Sequence, residues 1–414
     1  MGVPWPDYGR RIPLWIRLSR AWGHQKMDDK LKRLVYDAVD QFCDERITED
    51  SIKNWCVSRG VPHDDYVAFY ESELGRLCLP PQSGGWDGPF SARVLAVSRL
   101  ARRAGAILPY QTDFTSMALL STMQSVIQPE VVNELIARDG RAIFSQAFSE
   151  SSLQEGSFSA GTCVTRSKDG IFLDGVKSYV ANGQFISETL VLTQDDVCGK
   201  EDGGMSFWLV PLGAEGVYSY PLNTIGQEMT APASIGFDHV KLDPAWRIQT
   251  DGKLRQILDQ QYMRGRVLAC AASYGLAQAA LDDALKRCTT RRVRGEILGR
   301  LPHVEAKFAD MAAKIRSMGV MVEKAAESVI DGEVTDEQSF NCSLAKYYVP
   351  KTATEVADSA MQIFGGAGYT DHSRVGRIWR DCRGNQIAQG ADEMMIHTVA
   401  KQLLKNHSFV MSDI

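Results

Sequence analysis

Residues 359–394 read SAMQIFGGAGYTDHSRVGRIWRDCRGNQIAQGADEM. An apolar helical end (359–364) runs into the glycine cluster GGAG, then into the arginine-rich RIWRDCRG (377–384), and then into QGADEM (389–394). Asp392 and Glu393 stand just ahead of a further helical pattern, MMIHTVAKQLLKNH, where negative charge suits the helix dipole and its free N–H groups. Glycines such as Gly365 and Gly366 let backbone come close to a bound group because no Cβ intervenes.

Working outward, the segments before this stretch are also helical and long. LRQILDQQYMRGRVLACAASYGLAQAALDDALKRC and HVEAKFADMAAKIRSMGVMVEKAAESVI carry apolar residues at three- and four-residue steps, as in Phe308, Met311, Ile315, Met318 and Val322. With SLAKYYVPKTATEVADSAMQIF and the last segment they make at least four helices, which pack as a bundle. Pro350 lies inside one of them and predicts a kink or a restart. Further upstream the period changes. AIFSQAF, SAGTCVTRS, GIFLDGVKSYVA, ETLVLTQ, MSFWLVPL and ASIGFDHVKL are short, rich in β-branched and aromatic residues and separated by turn formers, so they read as strands. Before them, Leu31, Leu34, Val35, Ala38, Val39 and Phe42 form an amphipathic stripe, and SARVLAVSRLARRAGAILPY and MALLSTMQSVI continue the helical spacing. The expected fold class is α+β: an N-terminal all-α domain over 1–142, a middle β-barrel or sandwich domain over 143–248, and a C-terminal four-helix bundle over 249–414.

The chain has 414 residues, 44% of them hydrophobic, enough for more than one core. A net charge of -5 gives no basic footprint for nucleic acid. No apolar run reaches the roughly 18 residues that suggest a membrane span. The opening MGVPWPDYGRRIPLW lacks the apolar core of a secretory signal, so the expected location is cytoplasmic. Nine scattered cysteines without a C-x-x-C pair read as reduced thiols packed as small hydrophobes, with no metal site.

The order of helices, strands and bundle, together with SAMQIFGGAGYT…RIWRDCRGNQIAQGADEM, RRVRG ahead of LPHVEAKFADMAAKI, VKSYVANG and LGRLCLPPQSGG, resembles the acyl-CoA dehydrogenase family over nearly the whole chain. Within it, EAKFADMAAKI, DSAMQIFGG and GADEM are most similar to the crotonobetainyl-CoA reductase branch, which acts on carnitine-derived thioesters. The resemblance implies FAD lying between the β domain and the bundle, a CoA-thioester substrate, electron-transfer flavoprotein as redox partner, and a homotetramer or a hetero-oligomer with a homologue. Gly365 and Gly366 then match the backbone that approaches the FAD pyrophosphate of a neighbouring subunit. Gln362 matches the adenosine-side glutamine, and Arg291 the arginine that pairs with the diphosphate, for which a guanidinium fork is suited.

The departures from the family pattern concern the reacting centre. Where the family has Thr-Glu-Pro-Gly-x-Gly-Ser-Asp this chain has SESSLQEGS, so Ser149 keeps a hydroxyl while the proline and first glycines are gone. In place of Trp-Ile-Thr it has YVA: Tyr179 can shield the flavin ring, but Ala181 offers no hydroxyl to it. Ala391 stands for a threonine. Most consequential, Gln389 occupies the position of the usual catalytic glutamate, and an amide cannot take the α-proton that dehydrogenation requires. The family's other place for that glutamate falls on Gly265, beside Arg266. Glu393 is near in sequence, and as a helix-start residue its ordinary role is capping. A flavin reductase or dehydrogenase of a short or polar acyl-CoA is the first expectation. A non-dehydrogenating enzyme of the 3-sulfinopropionyl-CoA desulfinase kind, a catalytically silent subunit, and a flavin monooxygenase remain open beside it.

Overall fold

The computed structural model describes residues 29–77, 89–111, 114, 144–150, 161–185, 187–195, 204–250, 252–330 and 332–405. Three of the stretches read above, MALLSTMQSVI, most of SESSLQEGS and the end of LGRLCLPPQSGG, lie outside the described residues.

The N-terminal part is helical: α1 (Asp29–Arg46), α2 (Glu49–Ser58), α3 (His63–Glu71), α4 (Glu73–Arg76) and α5 (Phe90–Ala104). Leu31, Val35, Val39 and Phe42 on α1 are buried, as the stripe requires. Thr48 starts α2 with a capping box: its Oγ1 accepts the Ser51 N–H at 3.0 Å, and its own N–H donates to Ser51 Oγ at 2.8 Å. Helix α5 stops at Gly105, whose φ of 58° is the left-handed conformation that favours glycine at a helix end.

Eight strands follow: β1 (Phe144–Ala147), β2 (Cys163–Ser167), β3 (Gly170–Val180), β4 (Glu188–Asp195), β5 (Met205–Pro211), β6 (Val217–Pro221), β7 (Ala233–Lys241) and β8 (Arg247–Ile248). They form one mixed sheet in the order β6-β7-β3-β2-β4-β5-β8, with β1 added parallel to β4. Strands β6 and β8 were not legible beforehand. VYSYP is an edge strand without a buried residue, and β8 is two residues long, so neither shows an alternation of buried and exposed positions.

The bundle consists of α6 (Leu254–Thr290), the small hairpin β9 (Arg292–Val293) and β10 (Glu296–Ile297), then α7 (Pro302–Ser328), α8 (Asp336–Phe364), α9 (Arg374–Asn385) and α10 (Asp392–Lys405). Met311, Met318 and Val322 bury one face of α7, with Phe308 and Ile315 half-buried beside them. The restart expected at Pro350 does not occur: α8 runs unbroken through it. Pro350 and the residues around it, Lys346, Val349 and Ala353, are buried, so packing outweighs the one missing backbone bond, and Thr354 Oγ1 donates to the Pro350 carbonyl at 2.9 Å. No helix among the described residues is long and apolar enough to cross a membrane.

The arginine-rich α9 is where the three parts meet. Arg374 donates to the α5 carbonyls of Ala104 at 2.7 Å, Arg103 at 3.2 Å and Arg102 at 3.3 Å, pairs with Asp283 on α6 at 2.9 Å, and bonds Glu49 on α2. Arg377 reaches the same Glu49 at 3.1 Å and the Gly105 carbonyl at 3.2 Å. Burial opposes the charge on Glu49, yet the two guanidiniums outweigh it and hold the carboxyl below the ordinary range. Asp381, wholly buried, accepts the Ile107 N–H at 2.7 Å and the Gln227 N–H at 2.6 Å, one from the helical part and one from the sheet part. Gln227 answers with its amide, which donates to the Asp381 carbonyl at 3.1 Å and to Asn385 Oδ1 at 3.0 Å.

Candidate active site

The residues singled out in the sequence fall into three groups. The first is at the end of β3. Strand β3 pairs with β7 through a register shift between Lys177 and Val180, a bulge of the kind that re-aims a side chain. Tyr179 sits in that bulge with φ 58° and 70% of its surface exposed, an unusual backbone conformation for a bulky residue and one that turns the ring outward. Ser149 is exposed alongside it, because its carbonyl accepts the Ser178 N–H at 2.9 Å. Ala181 follows in the turn, its carbonyl accepting Ser145 Oγ at 2.5 Å. Beneath them Lys177 and Glu150 form a buried pair at 2.5 Å, and Glu150 also accepts the Gly161 N–H at 2.6 Å and the Thr162 N–H at 3.0 Å. Burial works against both charges. Lys177 and the Thr162 N–H nevertheless hold the Glu150 carboxyl low, while Lys177 is pushed down by burial and recovers only part of that from Glu150. This pair pins the segment carrying Ser149 to the strand carrying Tyr179.

The second group lies where α6 and α8 end. The Arg287 guanidinium stands over the Phe364 ring at 5.3 Å, which brings the two helix ends together. Gly365 closes α8 at φ 63°, ψ -147°, a region only glycine occupies readily, and a Cβ at Gly365 or Gly366 would meet nothing within 4 Å. Gln362, Gly365, Gly366 and Arg291 are all exposed. Gly365 and Gly366 thus leave a bare, outward-open stretch of backbone at the end of α8, with the exposed Gln362 one turn before it.

The third group is the 389–393 loop. Gln389 takes a left-handed φ of 59° and Gly390 one of 106°. The Gln389 carboxamide rests on the bare backbone of Gly265: a Cβ there would lie 2.9 Å from Gln389 Cδ and closer still to Oε1. The two places the family resemblance offers for a catalytic glutamate are thus one place in space, and neither supplies a carboxylate. Ala391 is half-buried and accepts the Met394 and Met395 N–H groups that begin α10. Glu393 is exposed in the first turn of α10, beside Asp392. Among the described residues no hydrogen bond or ion pair joins one of the three groups to another.

Two cations under this third group were not singled out in the sequence for any role. Lys346 on α8 has none of its surface exposed and donates to the Gly390 carbonyl at 2.9 Å. Arg266 on α6 donates from Nη1 to Ser343 Oγ at 3.0 Å, and its Nε is buried without a partner among the described residues. Burial pulls the proton affinity of both down, and the charge of Arg266 lowers that of Lys346 further. Asp392 is the carboxylate whose charge reaches Lys346, and burial pushes its own pKa up. A signal for Lys346 was present: it sits one turn from Cys342 and Val349–Pro350 on the buried face of α8, where a lysine has no ordinary reason to be.

Residues 255–404 match the family model described as the acyl-CoA dehydrogenase C-terminal domain. The chain is 28% identical over 348 residues to the probable acyl-CoA dehydrogenase YdiO of Escherichia coli K12, covering 84% of this chain and 89% of that one. It superposes on the crystal structure of an acyl-CoA dehydrogenase from Slackia heliotrinireducens with a TM-score of 0.80 and 32% identity, covering 92% of this chain and 99% of that one. A glutaryl-CoA dehydrogenase from Mycobacterium smegmatis, solved in complex with FADH2, shares the fold at a TM-score of 0.79 and 18% identity over 92% of this chain and 96% of that one. Identity at that level over nearly the full length of the Slackia protein, on the same arrangement of helices, sheet and bundle, means that the chain belongs to the acyl-CoA dehydrogenase family of flavin-dependent oxidoreductases.

Proposed function

We propose that the protein binds FAD and a short or polar CoA thioester, and that its reaction proceeds without a carboxylate at the customary base position. The observation that carries this reading is the Gln389 carboxamide lying against Gly265. FAD held there would supply hydride exchange with the β-carbon of the thioester. What this chain contributes at the α-carbon is an amide, a donor and acceptor in one, which can hold a thioester oxygen and cannot remove a proton. Reduction of an enoyl thioester places the smaller demand on such a site, since the α-carbon then receives a proton that water or another weak acid can give. A family reaction that bypasses α-proton abstraction altogether, desulfination among them, is the second reading, and the absence of a carboxylate at both customary positions favours it as well.

For FAD, the glycine shelf at Gly365 and Gly366 with Arg291 and Gln362 would hold the diphosphate and adenosine side, while Ser149, Tyr179, Ala181, Ala391 and Glu393 would border the ring. The outward-facing shelf suits a cofactor reaching across from a second copy, and the exposed Ile387, Met394, Ile396 and Leu404 support self-association. Electron-transfer flavoprotein would be the redox partner.

The deciding experiment is the visible spectrum of the chain purified alone, before and after anaerobic addition of saturated and α,β-unsaturated thioesters. Flavin that stays oxidised with saturated acyl-CoA, yet is reoxidised from its reduced form by an enoyl-CoA, is the expected result. Bleaching by the saturated thioester would overturn the reading of Gln389, and a colourless protein would point to a silent subunit. Arg291→Ala should lower flavin content, and unchanged content would remove Arg291 from the diphosphate site.

A further inference from the structure

Between Ile257 and Ser273 every residue of α6 is buried except Asp259, Tyr262, Arg266 and Ala269, which are half-buried and follow one another at three- and four-residue steps. Such steps set four side chains in one line along a helix face. Gly265, on whose bare backbone the Gln389 carboxamide rests, borders that line one turn beyond Tyr262. Tyr262 also packs against the apolar cluster of Phe207, Leu254 and Leu258, and so does Phe148, the residue before Ser149. One phenol thus links the segment that carries Ser149 to the place the customary base would hold. The other polar groups here have no proton to give. Asp259 accepts Arg255 Nε at 3.0 Å, as an ionised carboxylate does, and a guanidinium such as Arg266 does not release its proton. Lys346 is sealed and donates to the Gly390 carbonyl. Tyr262 makes no hydrogen bond among the described residues. Burial raises its pKa and so keeps the hydroxyl protonated, while the charge of Arg266 works the other way and favours a phenolate when one forms.

We propose that Tyr262 is the acid that gives the α-carbon its proton when this site reduces an enoyl thioester. The inference deepens the reductase reading of the Gln389 site and rests on it. As hydride from reduced flavin reaches the β-carbon, the π electron pair of the C=C bond moves to the α-carbon and takes the proton of Tyr262 Oη. The O–H bond breaks as the new C–H bond forms, the thioester is reduced and the flavin oxidised, and water reprotonates the phenolate. A phenol is acidic enough for this step, and a carboxylate at residue 389 is then not needed.

The test is Tyr262→Phe in the flavin-loaded protein, which removes the hydroxyl and keeps the ring that packs against Leu254 and Leu258. Reoxidation of the reduced protein by crotonyl-CoA or crotonobetainyl-CoA, whichever the wild type reduces faster, should slow about a hundredfold or more, the usual contribution of a placed acid. Flavin content and the affinity for the same thioester, measured by calorimetry, should be unchanged. Reoxidation by ferricenium, which takes electrons and needs no α-proton, should be unchanged too. A thioester rate that stays at the wild-type value would overturn the inference and leave the reductase reading standing. A rate lost together with thioester affinity or with ferricenium reoxidation would also overturn it, because the hydroxyl would then be holding the site together rather than giving a proton. If the wild type reduces neither thioester, the reductase reading and the inference fall together.

Discussion

Arg374 and Arg377 at the start of α9, and Arg266 with Lys346 under the 389–391 loop, are four cations of one helical bundle held in two different ways. The first two close every account around them: Glu49, Asp283 and four main-chain carbonyls answer their N–H groups. The second two are answered by a hydroxyl and a single carbonyl. Both arrangements take charge out of water, but among the described residues only the first is closed by ion pairs, between parts of the molecule distant in sequence. Paired charge at α9 therefore joins distant parts of the fold, whereas the charge under Gln389 holds a single loop.

The largest expected effect comes from breaking the first region. Asp381→Ala removes the acceptor of two buried backbone N–H groups, from Ile107 and Gln227, and leaves both unsatisfied. At about 1–3 kcal/mol for each orphaned group, roughly 2–6 kcal/mol of stability should go, read as a marked fall in the thermal midpoint. A fall within error of the wild type would mean that the three parts are held together without this junction. The same carboxyl has a pH signature. Burial pushes Asp381 up to about 7, against the pull of the two amides, so the folded state binds this proton more tightly than the unfolded chain does. Its contribution is then greatest below the ordinary aspartate range and is lost as pH rises through about 7. Asp381→Asn should flatten that decline in the thermal midpoint, and an identical slope in wild type and variant would assign the pH dependence elsewhere.

The helix and strand content of these regions was open to reading in advance, and their partnerships were not. The stripe Leu31, Val35, Val39, Phe42 and the face Met311, Met318, Val322 followed from spacing, because periodic burial is a local property. SRVGRIWRDCRG gave no hint that Arg374 caps α5 or that Arg377 reaches Glu49, since those partners lie 270 and more residues away. The restart allowed for at Pro350 does not occur for the related reason that tertiary packing decides whether a helix continues. At the candidate site, Gln389 and Gly265 were each recognisable by resemblance, but that they share one position in space is a fact of how α6 and the loop cross. Lys346 was visible as a lysine on an apolar face, and what that meant depended on the Gly390 carbonyl opposite it.

A smaller effect, opposite in sign to the first, is expected in the second region. Arg266→Met exchanges a partly compensated buried cation for an apolar chain of similar length, so stability should hold or rise by up to about 1 kcal/mol. A loss like that of Asp381→Ala would show that Arg266 is compensated within the fold, and the contrast between the two regions would disappear.

The smallest change in stability, and the most informative in chemistry, is expected from Gln389→Glu, which gives the second region a carboxylate and so makes it resemble the first. Because Gln389 is exposed, attraction to Arg266 and Lys346 should add no more than about 1 kcal/mol, detectable as a slight rise in the thermal midpoint that salt diminishes. The new carboxylate would occupy the spot above Gly265 that both customary base positions share, so exchange of the α-proton of a saturated acyl-CoA should rise from background, measured by deuterium incorporation. Exchange without the rise in stability would mean that the base position is sound while the cations lie too far away to feel it. A rise in stability without exchange would mean that the field is real and the thioester sits elsewhere. If neither appears, the loop does not hold residue 389 over Gly265 in solution, and the reading of Gln389 as the occupant of the base position falls with it.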